Sequence, residues 1–215
     1  VDHPLRTQVL CSQIETSRWV RNGAFAMSHQ VSLYRNRLWH DMGAELDFFL
    51  MQCGAQVLGN AFILLALQRF ELLMFFSIDR EGDAESPTGY AAADYEMAAD
   101  FLSLLVSIGR DRTRCGLSKE KALRREVVSW LAVSDLSYSQ LVDKLSTWTS
   151  SKSEAVDAAL SEVADFHEPQ AEDDSGFYRL KQEEWCNVDQ QFPRLSKMDR
   201  VKLEERLSEH PWPDC

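Results

Sequence analysis

Ser134-Asp135-Leu136-Ser137-Tyr138-Ser139-Gln140 decides the fold of the second half of this chain. Ser137-x-x-Gln140 is a capping box, in which the serine oxygen accepts one free backbone N–H and the glutamine side chain reaches back to another. One helix therefore has to end, and the next begin, within the turn at Ser134-Asp135-Leu136. Upstream, Leu123, Val127 and Leu131 recur every fourth residue and predict a helix over 119–133. Downstream, Tyr138, Leu141, Val142 and Leu145 line one helical face. A second capping box, Ser151-x-x-Glu154, predicts a third helix with a stripe of Val156, Leu160 and Val163. Phe166-His167-Glu168 and Phe177-Tyr178-Arg179-Leu180, on either side of the polar stretch 169–176, have the length and aromatic content of a small hairpin. Helix, tight turn, helix, helix, hairpin is the order of a winged helix.

The first half is helical in pattern. Candidate helices span about 3–19, 23–40, 44–58, 60–76 and 91–109, punctuated by Gly43, Gly59-Asn60 and Gly109. Asp2 is the N-cap candidate of the first, with Pro4 in a turn that tolerates proline. Arg18-Trp19-Val20-Arg21-Asn22-Gly23 reads as a helix corner, where Asn22 and Gly23 supply the positive φ of a chain reversal. Residues 77–90 are too polar to support a core and are expected to form an exposed loop. The charged joint at 110–114 suggests a boundary, giving a helical scaffold over 1–114 and a winged helix over 115–188. A C-terminal amphipathic segment over 189–215 follows. The expected fold class is mainly α: a multi-helix scaffold, a three-helix winged domain with its hairpin, and a terminal helix.

At 215 residues, 45% hydrophobic and 27% charged, the chain has the composition of an ordinary globular protein. Its longest apolar run, Ala61 to Leu67, is too short to cross a bilayer. It opens directly into a helix pattern, as a piece of a longer protein would. Five cysteines, Cys11, Cys53, Cys115, Cys186 and Cys215, contain no C-x-x-C pair, and their odd number suits a reducing compartment. The five histidines lack the spacing of a metal site, so no metal ligand is assigned within the segment. No nucleophile, base and acid can be assembled from local motifs, and no catalytic residue is assigned. The acidic loops read as solvated surface.

Net charge of −11 bears on partners. A winged-helix regulator of nucleic acids is the obvious alternative function, since in such proteins the third helix enters the major groove. Here that helix sets Lys152 against Glu154, Asp157, Glu162, Asp165 and Glu168, which would bring negative charge onto phosphates. Architecture or protein binding is the better reading, and neither nucleic acid nor membrane is expected as a partner. The last helix is the local exception, because Arg194, Lys197, Arg200, Lys202 and Arg206 outnumber Asp199, Glu204 and Glu205. Ser196 caps it, and Met198, Val201, Leu203 and Leu207 make it partly amphipathic.

Several motifs in the same order carry a resemblance. His3-Pro4-Leu5-Arg6, the Arg18 to Gly23 junction, Leu50-Met51-Gln52-Cys53-Gly54-Ala55 and Leu67-Gln68-Arg69-Phe70-Glu71-Leu72 resemble the middle region of the UBR-box N-recognin ubiquitin ligases. Arg125-Glu126-Val127-Val128-Ser129-Trp130-Leu131 and Gly176-Phe177-Tyr178-Arg179-Leu180 are similar to the winged helix that follows the helical scaffold there. Val20 departs from the pattern, which usually has a second arginine beside the tryptophan. The resemblance implies a RING-type E3 ligase of the cytoplasm, and also of the nucleus, that directs ubiquitin onto proteins bearing N-degrons. Substrate capture and zinc would belong to UBR-box and RING modules outside this segment. The segment itself would be a noncatalytic spacer contacting other domains of the same ligase. Its terminal helix lies where the family's segment for binding the ubiquitin-conjugating enzyme begins, which makes Leu195, Lys197, Met198, Arg200, Val201, Lys202 and Leu203 the candidate contacts. Arg18, Trp19, Arg21, Asn22 and Gly23 are candidates for a structural junction only.

Overall fold

A computed structural model describes residues 1–18, 24–35, 43–77, 91–150, 152–169 and 176–209. The fold is mainly α, and the chain divides into two compact units, Val1–Arg110 and Asp111–Cys215. The first unit contains α1 (Asp2–Glu15), α2 (Ala24–Arg35), α3 (Glu45–Leu58), α4 (Asn60–Arg69) and α5 (Ala92–Arg110). Leu5 and Val9 of α1, Met51 of α3, Phe62 and Ala66 of α4, and Met97, Ala98 and Phe101 of α5 meet in one core. Phe70 packs edge-on against Phe101, with ring centroids 5.5 Å apart.

Two helices stop earlier than the apolar pattern predicts, and by the same device. Leu72 N–H bonds to Leu67 O and Glu71 N–H to Gln68 O, while Glu71 takes φ 60°. That pair of bonds is a Schellman motif with a left-handed residue at its end. It closes α4 at Arg69 and leaves the expected extension to residue 76 as turns. Arg18 N–H to Gln13 O and Ser17 N–H to Ile14 O, with Ser17 at φ 57°, repeat it at the end of α1. Neither left-handed residue is the glycine or asparagine that would mark such an end in the sequence. Asp2 is inside α1 rather than its cap: Val1 holds that position without a side-chain bond, and the Asp2 carboxylate accepts from Arg69 Nε at 2.7 Å. The hydrogen bond from Arg69 holds the Asp2 carboxyl below its usual pKa. At the α3–α4 junction Gly59 takes φ 54°, as a glycine break requires. The expected loop at 77–90, from Ile78 onward, lies outside the described residues.

The second unit contains α6 (Lys119–Val133), α7 (Tyr138–Lys144), α8 (Ser153–Val163), β1 (Ala164–His167), β2 (Phe177–Leu180), a 3-10 helix (Gln182–Asn187) and α9 (Lys197–Glu209). Ser118 caps α6 by accepting the Lys121 N–H. The capping box is present at the start of α7: Ser137 Oγ accepts from Gln140 N, and Gln140 Oε1 accepts from Ser137 N at 2.9 Å. The second predicted capping box starts at Ser151, which lies outside the described residues. Lys152 is the N-cap of α8 and makes no side-chain bond, so Glu154 stands in the second helical position, where its charge suits the positive end of the helix dipole.

β1 and β2 pair antiparallel, with Phe166 opposite Tyr178 and His167 opposite Phe177. A third strand position comes from the Ser134-Asp135-Leu136 turn. Leu136 and Tyr178 exchange backbone bonds of 3.2 and 2.8 Å, which ties the α6–α7 turn to the hairpin. Helix α6 is the centre of the unit. Its residues from Glu126 to Val133 are buried without interruption, because α7, α8, β2, the 3-10 helix and α9 all pack around it. Leu131, fully buried, should lose about 3 kcal/mol of stability as Leu131→Ala, within the usual range for a core leucine. Met198→Ala, at an exposed position, should stay within about 0.5 kcal/mol of the natural chain. Equilibrium unfolding in urea measures both, and similar small losses for the two would show that α6 is not the packed centre.

Candidate functional site

Helix α9 is fixed at its start by a reciprocal cap. Ser196 Oγ accepts the Asp199 N–H at 3.1 Å, and the Asp199 carboxylate accepts the Ser196 N–H at 3.1 Å and its hydroxyl at 2.6 Å. This is a reciprocal cap with aspartate in the role that glutamate or glutamine usually plays. One face of the helix is then fixed to the winged helix. Leu203 is buried in the same core as Leu131, and Leu207 packs beside it. Arg206 donates to Leu131 O at 3.1 Å and to Asp135 Oδ1 at 2.8 Å, and its guanidinium lies 5.4 Å from the Trp185 ring centroid. Arg200 donates to Gln191 Oε1 at 2.8 Å.

The candidate contact residues therefore separate into two sets. Leu195 and Leu203 are core residues, 4% and 1% exposed, and offer nothing to a partner without unfolding. Lys197, Met198, Val201 and Lys202 are exposed on the outer face, and Met198 and Val201 stand out at 65% and 49%. Arg200 is half-buried between the two. The basic character of the segment separates in the same way. Arg194, Arg200 and Arg206 are turned toward polar groups of their own unit, while Lys197 and Lys202 are exposed on α9.

The anchoring network was not legible in the sequence. Glu126, in the middle of α6 and 3% exposed, accepts the Ser146 N–H at 2.8 Å and Arg194 Nη1 at 2.8 Å. Arg194 also donates to Lys144 O at 2.7 Å. The Trp130 ring lies beneath Lys144 Nζ, 4.4 Å from its centroid, with Phe192 edge-on at 6.2 Å. One helix position away, Arg125 bridges Asp111 and Asp189, the latter at 2.7 Å. Two of these contacts, Arg125 with Asp189 and Glu126 with Arg194, join residues 64 and 68 positions apart in sequence. The only sequence signal was a glutamate three residues after Leu123, at a position that periodicity alone would bury.

Elsewhere the described residues offer little for chemistry. No group of three histidine, cysteine, aspartate or glutamate side chains among them could hold a metal ion. An open depression of about 450 Å³ is lined by Leu10, Gln13, Arg18 and Glu71. Of the predicted junction, Arg18 pairs with Asp94 of α5, and Trp19, Arg21, Asn22 and Gly23 lie outside the described residues. The outer side of α8 carries Glu154 and Asp157, both exposed, where a DNA reader would present cations. No helix among the described residues is long and apolar enough to cross a membrane.

Comparison with known proteins agrees with this architecture. Residues 122–211 match the family described as E3 ubiquitin-protein ligase UBR1-like, winged-helix domain, a span that runs from within α6 past the end of α9. The chain is 32% identical to E3 ubiquitin-protein ligase PRT6 of Arabidopsis thaliana, over 98% of this chain and 10% of that protein. It is 27% identical to E3 ubiquitin-protein ligase UBR2 of Mus musculus and to E3 ubiquitin-protein ligase UBR1 of Drosophila melanogaster, in each case over 95% of this chain and 12% of the relative. The chain thus spans about a tenth of the length of the relatives it matches.

Removing Arg194 would leave the Glu126 carboxylate buried without its cation. Arg194→Ala should destabilise the second unit by about 3 to 5 kcal/mol, whereas the paired change Glu126→Gln with Arg194→Met should recover most of that loss. Urea unfolding of the two variants checks this, and equal stabilities would show that the pair is not a coupled buried ion pair. The sequence matches and the winged helix together place the chain in the UBR family of E3 ubiquitin-protein ligases, as a counterpart of their middle region.

Proposed function

We propose that this chain is a noncatalytic scaffold segment of a RING-type E3 ubiquitin-protein ligase acting on proteins with N-degrons, and that the outer face of α9 contributes to binding the ubiquitin-conjugating enzyme. The observation that carries the reading is a helix fixed by its inner face and carrying two exposed apolar side chains among charged ones on its outer one. Met198 and Val201 are exposed there at 65% and 49%, although the helix has a full set of internal anchors through Leu203 and Arg206. Apolar anchors flanked by Lys197 and Lys202 suit the helix-in-groove mode of recognition, with the cations speeding encounter with an acidic surface. The relatives support the ligase part of the reading by their names.

In this role the segment performs no side-chain chemistry. It sets the position of the conjugating enzyme relative to captured substrate, which is a contribution of proximity and orientation. Substrate capture, and zinc in UBR-box and RING modules, would come from other parts of the ligase, and its place of action would be the cytoplasm or nucleus.

A titration of the ligase with its ubiquitin-conjugating enzyme tests the assignment. Met198→Asp with Val201→Asp should weaken binding at least tenfold while leaving circular dichroism unchanged, a loss of about 1.4 kcal/mol or more. Lys197→Glu with Lys202→Glu should chiefly slow association and flatten its salt dependence. Unchanged affinity in the aspartate variant, with the fold intact, would remove α9 from the interface. Tight, salt-sensitive DNA binding would instead support the nucleic-acid alternative.

A further inference from the structure

One side of the hairpin is left open. Tyr178 bonds Leu136 through both its N–H and its C=O, so the backbone polar groups of Tyr178 point away from β1. Bonded and non-bonded pairs alternate along an antiparallel ladder, and Phe166, opposite Tyr178, therefore turns its own N–H and C=O away from β2. The Lys181 N–H to Val163 O bond of 3.0 Å fits the same alternation, with Asp165 bonded to Arg179 and His167 to Phe177. Ala164 shares the outward parity of Phe166. Its N–H is taken by Leu160 O at the end of α8, which leaves its carbonyl. Ala164 O, Phe166 N–H and Phe166 O thus line an edge that no strand among the described residues pairs.

A row of outward donors and acceptors is a template for another strand. Phe166 adds an apolar contact to it. The ring is 55% exposed yet held in place, 5.1 Å from the Tyr178 centroid and over Gly176, where any side chain would collide with it. A ring fixed before binding costs a partner little ordering.

Charge narrows the choice of occupant. Asp165 and Glu168 are exposed beside the edge, and neither makes an ion pair among the described residues. The neighbouring cations are engaged elsewhere: Arg179 donates to Asp135 at 2.8 Å, and Lys181 Nζ donates to Ser161 O and Glu162 O at 2.9 and 2.7 Å. A second copy of this chain, with net charge −11, would bring the same two carboxylates to the contact. Pro169 stops the edge after a few residues, so the strand it receives is short.

From this we infer that the outer edge of β1 is a docking site for a short, extended segment of a partner protein that carries lysine or arginine and adds as a strand beside β1. Backbone bonds to Ala164 and Phe166 hold the segment, the Phe166 ring takes an apolar side chain, and Asp165 and Glu168 select its cations. The inference goes beyond the scaffold reading and does not use α9.

A short fluorescent peptide of alternating lysine and valine, titrated with the full 215-residue chain, tests it. Methylating one alternate set of the peptide's backbone amides, which keeps its charge, should weaken binding at least tenfold, while the other set is tolerated. Hydrogen exchange should show residues 164–168 protected when the peptide binds. Asp165→Lys with Glu168→Lys should abolish that binding and favour a glutamate–valine peptide at least tenfold. The methylated peptides need no variant, and they decide the matter if the lysine pair fails to fold. Absence of binding would overturn the inference, as would equal binding of all three lysine peptides, which is attraction by charge alone. So would protection confined to other residues, or protection of 164–168 that grows with chain concentration in the absence of peptide, which marks a second copy.

Discussion

Glu126 and Arg194 set the geometry of the second unit. A carboxylate in the middle of a core helix is costly to bury, and a single cation offsets that cost only with close geometry and full hydrogen bonding. Here the acid accepts from Ser146 N–H and Arg194, and Arg194 donates also to Lys144 O, while its buried Nε has no partner among the described residues. The pair therefore works as a specifier of position. It fixes α6 to the segment after α7 and to the residues just before Ser196, so α9 starts from a determined point. An apolar pair of equal volume would fill the space without fixing which loop lies against which helix turn.

A second consequence concerns where the positive charge goes. The terminal segment is the basic part of an acidic chain, yet all three of its arginines are used within the unit: Arg194 on Glu126, Arg200 on Gln191, Arg206 on Asp135. Planar guanidinium groups suit such multiple bonding, and the compact, well-hydrated lysine ammonium does not need it. The outward cations of α9 are its two lysines. This division of labour limits long-range steering and leaves the apolar side chains of Met198 and Val201 as the main content of the outer face. In the same unit Arg179 shares Asp135 with Arg206, so hairpin, turn and terminal helix meet at one carboxylate.

Much of this was legible in the sequence, for identifiable reasons. Ser137 with Gln140, and the four-residue repeat of Leu123, Val127 and Leu131, are local signals and gave α6 and α7 nearly to the residue. The hairpin was legible because aromatic runs flank a polar stretch, although Ala164 and Asp165 extend β1 beyond the aromatic residues. What failed was also local. Ser17 and Glu71 adopt left-handed conformations with nothing in their side chains to announce it, so α1 and α4 were drawn too long. Leu195 and Leu203 were grouped with Met198 and Val201, because a periodic helix shows that it has two faces without showing which one a neighbouring element covers. The Glu126 network was invisible because its anchor, Arg194, lies 68 residues from Glu126 and 50 from Lys144 in sequence.

Those two kinds of failure bear differently on function. A misplaced helix end moves a boundary by a few residues and changes no face. A misassigned face changes which residues a partner could touch, and that depends on tertiary contacts alone. Under the proposed role the distinction matters further, since a segment that acts by proximity contributes only as far as its contact residues keep their orientation. Leu203 in the core, Arg206 on Asp135 and Ser196 with Asp199 at the cap together remove the rotation and sliding that would blur the outer face. The residues withheld from a partner are therefore those that make the exposed ones usable: the inner face supplies the rigidity, and Met198 and Val201 can supply contact because Leu195 and Leu203 do not.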